Sequence, residues 1–434
     1  MKIKDAINKI VSLKSTDSFG KINKVIGLVI EGKGLNTSIG SVCEVIVEDG
    51  KSVPAEVVGF RNASVLLMPY GELRGIKPGS YIKNSNTPPV VGVGFELLGR
   101  VVDSFLNPLD GKGKIKVSNF YPLYAEPLNP ILRRRIDTPL DVGVRAINGL
   151  ITIGKGQRIA IMAGSGVGKS TLLGMIARYT NADVNVICLV GERGREVNEF
   201  IEDSLGEEGL KKSVVVVATS DLSPLERIRA VYTAQTIAEY FRDMSKDVLF
   251  MMDSITRFAM ASREVGLSIG EPPTTKGYTP SVFSQLPKLL ERAGTSDKGT
   301  ITGIYTVLVE GDDFTEPIAD AVRSIVDGHI VLTRELADQG HYPAIDVLKS
   351  ISRLRSQIID RELYKLGNKF LSTLATYKRV EDMINIGAYS KGSNTEIDYA
   401  IEKIDKINEF LTQDIEERSS LEDSFARLKS IIQN

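Results

Sequence analysis

Apolar residues recur in short runs along the chain, and the length and spacing of these runs change at two points. From Lys21 to about Asn86 the runs are brief and rich in β-branched residues, with turn signals such as EGKG, EDGK and PGS between them. From about Gly149 onward, nearly continuous apolar runs alternate with helical patterns; the runs span residues 158–163, 184–190, 213–218, 248–252, 301–309 and 329–333. Such runs are typical of a parallel sheet that is covered by helices on both faces. After about Arg361 the pattern is helical and charged.

These changes predict an α/β fold class with three domains behind a short N-terminal arm. The predicted boundaries are 1–20 for an amphipathic arm, 21–88 for a β-barrel domain, 89–361 for a nucleotide domain with a parallel sheet, and 362–434 for a C-terminal helical domain. The arm places isoleucines at helical spacing between lysines, so it either docks on a regulator or a membrane surface, or packs on the barrel. For the charged tail, a solvated helical bundle is favoured over a specific ligand site.

Composition and charge narrow the classes of partner and compartment. The chain has 434 residues and a formal net charge of -1, from 54 Lys and Arg against 55 Asp and Glu. This balance gives no general reason to expect binding to nucleic acid or to an anionic membrane. The two cysteines, Cys43 and Cys188, lie far apart within apolar runs, which argues against a disulfide framework or a metal knuckle. Because no apolar run is long enough to span a bilayer, the sequence predicts a cytoplasmic protein.

The stretch IAIMAGSGVGKSTLL, residues 159–173, passes from a strand pattern through a glycine-rich turn into a helical pattern. Its alternate glycines remove side chains where the backbone must bend and approach a ligand, so that successive N–H groups face one concavity. Lys169 adds a full charge for the β- and γ-phosphates, and the hydroxyl of Ser170 suits Mg²⁺. Alanine stands where the usual pattern has its first glycine, and it is small enough to be tolerated. The predicted nucleotide-binding residues of this loop are Ala163, Gly164, Ser165, Gly166, Val167, Gly168, Lys169, Ser170 and Thr171.

Two acidic residues follow buried strands at positions where ligands of open α/β sheets bind. Asp253 ends the run VLFMM, which makes it a candidate partner for Mg²⁺. Glu192 follows the run 184–190, which would place its carboxylate near a γ-phosphate and the water that attacks it. Either acid alone could equally cap a helix or pair with an arginine, but their combination with the glycine loop favours a site that hydrolyses a nucleotide.

Several long segments carry a resemblance to a known family. Besides the glycine loop they are VGERGREV, VLFMMDSITR, GEPPTTKGYTPSVFSQLPKLLERAG, VEGDDFTEPIADAVRSIVDGHIVL and GHYPAIDVLKSISR, at 190–197, 248–257, 270–294, 309–332 and 340–353. They resemble the signature segments of the rotary ATP synthase catalytic-subunit superfamily and, more narrowly, the flagellar ATPases of type III protein export. The likeness extends over almost the whole chain, and chance is a poor explanation for motifs this long and ordered.

The resemblance implies a RecA-like P-loop nucleotide domain, a homohexameric ring, and ATP with Mg²⁺ as its substrate and cofactor. Lys169 and Ser170 would hold phosphate and metal. Asp253 would support the metal directly or through a water, and Glu192 would polarise the attacking water. The implied function is an ATP hydrolase that energises flagellar protein export by unloading or unfolding export substrates and chaperones at a membrane export gate. Its implied partners include regulator and stalk proteins, and its implied place is the cytoplasmic face of the inner membrane, as a peripheral protein.

Two further residues take their roles from the resemblance alone. Tyr342 matches the position where the family stacks an aromatic ring on adenine, and Arg353 matches the arginine that is offered to the neighbouring subunit's nucleotide. Their alternatives are a core-filling tyrosine and an arginine in an ion pair within its own subunit. The chain departs from the family at Asn148, in a RAING segment where the family commonly has RAIDG. The difference puts a local hydrogen bond in doubt and leaves the implied chemistry unchanged.

Three other functions compete with flagellar export. An RNA-translocating ring ATPase would need basic and aromatic residues interleaved in the barrel, where aromatic residues are few and charges are mixed. A nucleotide-binding subunit without catalysis is disfavoured by Glu192. The closest alternative is the export ATPase of a virulence injectisome, because sequence motifs barely separate it from the flagellar form.

Overall fold

The structure is a computed structural model that describes residues 19–47, 51–84, 88–309, 313 and 315–433. The predicted arm lies outside the described residues, except for its last two positions. The described chain begins with a closed barrel in which the strands neighbour one another in the order β1-β2-β5-β4-β3-β6. Its strands are β1 (Phe19–Ile26), β2 (Val29–Lys33), β3 (Val42–Ile46), β4 (Ser52–Arg61), β5 (Ser64–Pro69) and β6 (Tyr81–Asn84).

The interior of this barrel is filled by apolar side chains from one face of its strands. Buried and exposed residues alternate along β1 and β3, since successive side chains of a strand point to opposite faces. The buried set, which includes Ile22, Val45, Leu67 and Ile82, fills the interior. The N-terminal β-barrel predicted from the short runs is therefore confirmed.

A nine-stranded sheet forms the centre of the nucleotide domain, in the order β19-β18-β12-β17-β15-β13-β14-β8, with β16 paired to β17. The pairs along this order are parallel except β18 with β19, and β16 is antiparallel to β17. Two further sheets join β7 to β9 and β10 to β11. The strands are β7 (Val90–Val93), β8 (Arg100–Val102), β9 (Asn119–Pro122), β10 (Pro139–Leu140), β11 (Ile153–Gly154), β12 (Arg158–Ala163), β13 (Val184–Val190), β14 (Ser213–Ala218), β15 (Asp247–Asp253), β16 (Gly294–Thr295), β17 (Thr300–Leu308), β18 (Gly328–Leu332) and β19 (Ile351–Ser352).

Helices cover both faces of this sheet and form the C-terminal domain. They are α1 (Arg145–Leu150), α2 (Lys169–Tyr179), α3 (Gly194–Glu199), α4 (Gly206–Lys211), α5 (Pro224–Asp243), α6 (Ile255–Ser268), α7 (Pro280–Leu290), α8 (Pro317–Ile325), α9 (Arg334–Asp338), α10 (Arg355–Ile358), α11 (Arg361–Asn385), α12 (Thr395–Leu411) and α13 (Leu421–Gln433). A π-helical stretch, Phe200–Leu205, joins α3 to α4. None of the described helices combines the length and apolar character that a membrane crossing requires.

Burial on both faces explains why the strands of the sheet are apolar without alternation. Along β14, Val214 and Val216 belong to one hydrophobic core, while Val215 and Val217 belong to the other. The first core includes side chains of α5, α6 and α7, and the second includes side chains of α1, α2 and the C-terminal helices. The predicted parallel sheet with helices on both faces is thus confirmed.

The C-terminal helices pack directly on α1 of the nucleotide domain. A Cβ atom on Gly149 would lie 2.8 Å from Cζ of Phe410, so a larger residue would force the buried ring to shift. The buried Arg145 donates hydrogen bonds from Nη1 to the carbonyl oxygens of Glu409 (2.9 Å) and Thr412 (3.0 Å). One side of the charged tail is therefore a packed core, and the other side is exposed.

Asn148, the departure noted in the sequence, lies buried in this same junction. Its Oδ1 accepts a hydrogen bond from the backbone N–H of Val142 (3.1 Å). Its Nδ2 donates to Oδ1 of Asp141 (2.8 Å) and to the carbonyl oxygen of Ser419 (3.0 Å). The amide of Asn148 donates a hydrogen bond to the carboxylate of Asp141, whereas an ionised aspartate at this position would have no hydrogen to donate. Asparagine therefore fits this position.

We expect Asn148→Asp to destabilise the protein by about 3 kcal/mol, because it replaces two donated hydrogen bonds with charge repulsion against Asp141. Two adjacent buried carboxyls share a proton, which raises the pKa of the pair in the folded state. The unfolded chain ionises more readily, so the loss of stability grows as the pH rises. Thermal unfolding at pH 5 and pH 8 measures this, with Asn148→Ala as the uncharged control. An equal loss for both variants at both pH values would contradict the repulsion.

Candidate functional site

The glycine loop joins the carboxyl end of β12 to the start of α2, as its sequence predicts. Gly166 and Gly168 have φ angles of +76° and +87°, a region that side chains disfavour. Gly168 directly precedes α2, whose first residue is Lys169. The free N–H groups of the first helical turn therefore face the space beside the loop, and they carry the partial positive charge of a helix N-terminus.

A cavity of about 750 Å³ opens beside the loop and is large enough to hold a nucleotide's phosphates. Most of the predicted loop residues line it, together with residues that follow neighbouring strands. The lining comprises Ala163, Gly164, Ser165, Gly166, Gly168, Lys169, Ser170, Thr171, Gly191, Glu192, Arg193, Glu196, Ser220, Arg257, Leu308, Val309 and Arg334. Val167, the remaining loop residue, is buried beneath it.

Lys169 brings the two predicted acids together. Its Nζ bonds to Oδ1 of Asp253 and lies 3.7 Å from Oε1 of Glu192. Asp253 Oδ1 also accepts a hydrogen bond from Oγ1 of Thr306 on β17 (2.7 Å). These side chains converge because β12, β13, β15 and β17 are parallel, so their carboxyl ends share one edge of the sheet.

Burial changes the acidity of Glu192. Loss of hydration on burial and the negative charge of Asp253 together raise the pKa of Glu192 to about 7, against the opposing effect of Lys169. A hydrogen bond between Glu192 and Glu196 lowers the pKa of Glu196. A carboxyl group whose pKa lies near neutrality, beside a phosphate loop, is suited to accept a proton from water.

Tyr342 lies next to the glycine loop and is not a core residue. A Cβ atom built on Gly168 would be 3.5 Å from Cε1 of the Tyr342 ring, and the side chain is 45% exposed. The carbonyl oxygen of Tyr342 accepts a hydrogen bond from the N–H of Gln413 (2.9 Å), which ties this segment to the C-terminal domain. The ring thus presents an accessible face beside the end of the loop that begins α2.

Arg353 lies at the amino ends of the parallel strands, whereas the glycine loop lies at their carboxyl ends. It follows β19, which runs antiparallel to β18, and its N–H bonds to the carbonyl oxygen of Asp327 at the start of β18 (3.0 Å). Its exposed guanidinium donates only to the carbonyl oxygen of Arg323 (3.2 Å), and no carboxylate of the described residues lies within 4 Å of it. The structure therefore brings Lys169, Glu192, Asp253 and Tyr342 to one site and leaves Arg353 apart from them.

Two arginines at the cavity were not predicted from the sequence. Arg257 lies in the first turn of α6, and its side chain packs on the backbone of Gly191. Arg334 starts α9 and donates from Nη2 to the carbonyl oxygen of Ser165 in the glycine loop (2.8 Å). Both follow strands whose carboxyl ends border the loop, so polar residues after β15 and β18 were the available signal.

The residues at the cavity fit a nucleoside triphosphate with Mg²⁺. The glycine loop, Lys169 and the helix N-terminus suit phosphate oxygens. Among the described residues, no group of three or more His, Cys, Asp or Glu side chains could hold a metal ion by itself. One hydroxyl and one carboxylate, Ser170 and Asp253, would match the modest protein contribution that Mg²⁺ takes when substrate phosphates and water supply its other ligands.

The sheet, the loop and the cavity together define a P-loop nucleotide-binding protein. Three family descriptions match consecutive parts of the chain. They are the ATP synthase alpha/beta family beta-barrel domain at 22–86, the nucleotide-binding domain of the same family at 143–352, and the T3SS EscN ATPase C-terminal domain at 359–430.

Relatives that match over nearly the whole chain narrow the class of nucleotide-binding protein. The chain is 55% identical to the flagellum-specific ATP synthase of Bacillus subtilis, over 100% of both chains. It is 49% identical to the type 3 secretion system ATPase of Xanthomonas euvesicatoria, over 95% of this chain and 94% of that one. The assembled ATPase EscN of enteropathogenic E. coli superposes with a TM-score of 0.91 at 47% identity, over 95% of this chain and 100% of that chain. EscN in complex with its central stalk EscO gives a TM-score of 0.89 at 46% identity, with the same coverage.

The chain belongs to the ATP synthase alpha/beta family, in the branch of flagellum-specific ATP synthases and type III secretion ATPases. It is an ATPase of that branch. The predicted family, fold class and enzyme class are confirmed, and the flagellar interpretation is supported.

Proposed function

We propose that this ATPase hydrolyses ATP to energise flagellar type III protein export, unloading or unfolding export substrates and their chaperones at a membrane export gate. The proposal rests on one observation: Lys169 is paired with both Glu192 and Asp253 beside the glycine loop. The end-to-end likeness to a flagellum-specific ATP synthase supports the export system in which this site works.

The proposed chemistry is phosphoryl transfer to water. The loop N–H groups and Lys169 bind the phosphates, while Glu192 orients the attacking water and accepts its proton. Ser170 and Asp253 would hold Mg²⁺, which supplies positive charge to the phosphate oxygens when it is bound. Lys169 neutralises both acids in this structure, so it keeps two carboxylates close together in a partly buried site.

The proposed working form is a homohexamer with ATP at the subunit interfaces. Arg353 would complete the site of a neighbouring subunit, since its guanidinium is exposed and lies at the end of the sheet opposite its own glycine loop. The structures of assembled EscN support this arrangement by likeness, and the EscN–EscO complex supports a stalk protein as partner. Regulators, substrates, chaperones and a peripheral position at the cytoplasmic face of the inner membrane belong to the same proposal.

Export through a virulence injectisome is the second candidate function. The 49% identity to a type 3 secretion system ATPase favours it almost as much as the flagellar relatives favour export of flagellar proteins. A chromosomal Lys169→Ala change separates the two. We expect loss of motility with unchanged effector injection; loss of injection with normal motility would overturn the flagellar assignment.

We expect Tyr342→Ala to raise the KM for ATP about 5- to 150-fold, because a stacked base contributes roughly 1–3 kcal/mol. The maximal rate should change much less, since adenine lies far from the transferred phosphate. Tyr342→Phe, which keeps the ring, is the matched control and should leave KM near the wild-type value. Steady-state ATPase kinetics measure both constants. A lower melting temperature with an unchanged KM would instead assign Tyr342 a structural role.

A further inference from the structure

A short turn on the nucleotide domain presents two large apolar side chains to solvent. Ile131 and Leu132 lie in a 3₁₀ turn, Pro130–Leu132, and are 88% and 65% exposed. Ile131 is the most exposed large apolar side chain among the described residues. A pair this exposed is costly to keep in water unless another surface covers it.

Side-chain hydrogen bonds hold this turn in a single place. Asn129 Oδ1 accepts from the N–H of Ile131 (3.0 Å) at its start. Arg133 then donates to the carbonyl oxygen of Ala293 (3.0 Å), and Arg134 donates to those of Ser296 (2.6 Å) and Lys298 (2.9 Å). The two apolar side chains are therefore presented on a pre-organised turn, which lowers the entropic cost of binding.

A chain of ion pairs and hydrogen bonds places this turn on the same side of the domain as Arg353. Arg133 pairs with Glu291 (3.4 Å), which also pairs with Arg158. Arg158 in turn bonds to Asp327 (3.1 Å), whose carbonyl oxygen accepts the N–H of Arg353 (3.0 Å). All of these groups lie at the amino ends of β12 and β18, away from the glycine loop.

We propose that Ile131 and Leu132 form the apolar contact between copies of this chain that brings Arg353 to the neighbouring subunit's nucleotide. The inference rests on the proposed function, in which Arg353 acts across an interface. If Arg353 faces a second copy, the turn on the same side must face that copy as well. A second copy is therefore the occupant of this surface.

Charge supports the same pairing. Beside the turn, Arg134 and Arg135 are exposed, as is Arg353. The segment that leads away from the nucleotide cavity, α3 to α4, exposes Glu202, Asp203 and Glu207, while its exposed Glu199 is paired with Arg195. A basic side and an acidic side on one chain attract each other when copies associate head to tail, which is the contact that closes a ring.

The first test removes the apolar pair with Ile131→Asp and Leu132→Asp together. Both side chains are exposed, so the monomer should keep its melting temperature. We expect the protein concentration at half-assembly, measured by mass photometry with a non-hydrolysable ATP analogue and Mg²⁺, to rise at least about tenfold, or about 1.4 kcal/mol. ATPase activity should return at high protein concentration. The matched control is Ile386→Asp, which charges another highly exposed isoleucine, at the end of α11.

The second test replaces Ile131 with the photoreactive residue p-benzoylphenylalanine, with Ile386 replaced in the same way as control. Light should yield a covalent dimer only for position 131, with the attachment on the glycine loop or on residues 194–211 of the second copy. Unchanged assembly of the Asp variant, or attachment within the same chain, would overturn the inference while leaving the proposed hexamer intact. A wild-type protein that never assembles would overturn the hexamer and this inference together.

Discussion

Replacing Arg353 with alanine is expected to slow ATP hydrolysis by about 10³–10⁵-fold while ATP binding stays nearly normal. The reason is that an arginine from a neighbouring subunit neutralises charge that develops only in the transition state. Lysine should substitute poorly, because a point charge lacks the planar fork that spans two phosphate oxygens. Single-turnover hydrolysis and nucleotide binding measure the two effects separately. Arg379→Ala, which removes another exposed arginine from α11, is the matched control and should keep the wild-type rate.

A mixing experiment tests whether Arg353 works across the interface. Arg353→Ala and Lys169→Ala are each expected to be inactive, yet some interfaces of mixed rings join an intact glycine loop to an intact arginine. Activity should therefore reappear in the mixture. The trans assignment fails if tags on both variants show mixed rings that remain inactive, while wild-type subunits diluted into either variant stay active.

Glu192→Gln should lower the turnover rate by about a hundredfold or more, within the range for removal of a general base. Glutamine keeps the shape and most hydrogen bonds of the side chain but cannot accept a proton from water. ATP should still bind, since Lys169 and the glycine loop are unchanged. Rates of phosphate release at saturating ATP give the measurement.

Glu196→Gln is the matched control for this substitution. Glu196 lines the same cavity, but its carboxylate is about half exposed and does not lie within 4 Å of Lys169. Its removal should change the turnover rate by no more than a few fold. Turnover near the wild-type value for Glu192→Gln would remove Glu192 from the mechanism.

Much of the fold followed from local patterns. The barrel strands β1 and β3 alternate and the sheet strands do not, because the first are buried on one face and the second on both. The order of strands within the sheet could not be predicted in the same way, since it depends on which apolar edges meet in three dimensions. That order decides which strand ends border the glycine loop.

The residues of the candidate site likewise differ in how far the local sequence could predict them. The only signal for Arg257 and Arg334 in the sequence was their place after a strand, which does not separate them from arginines on ordinary surfaces. The same limit applied to Asn148, whose hydrogen bond to Asp141 joins residues near in sequence but whose bond to Ser419 depends on the docking of the C-terminal helices.

By itself, the sequence determined the phosphate loop and the three-domain order, because these rest on residues that are close together along the chain. Only the tertiary structure decided that Lys169 neutralises both Glu192 and Asp253, since those residues come from three different strand ends. It likewise decided that Tyr342 is exposed beside Gly168 and that Arg353 lies on the far side with Ile131. Distances of this kind arise from parallel strand order and packing on both faces of the sheet, which no local pattern encodes.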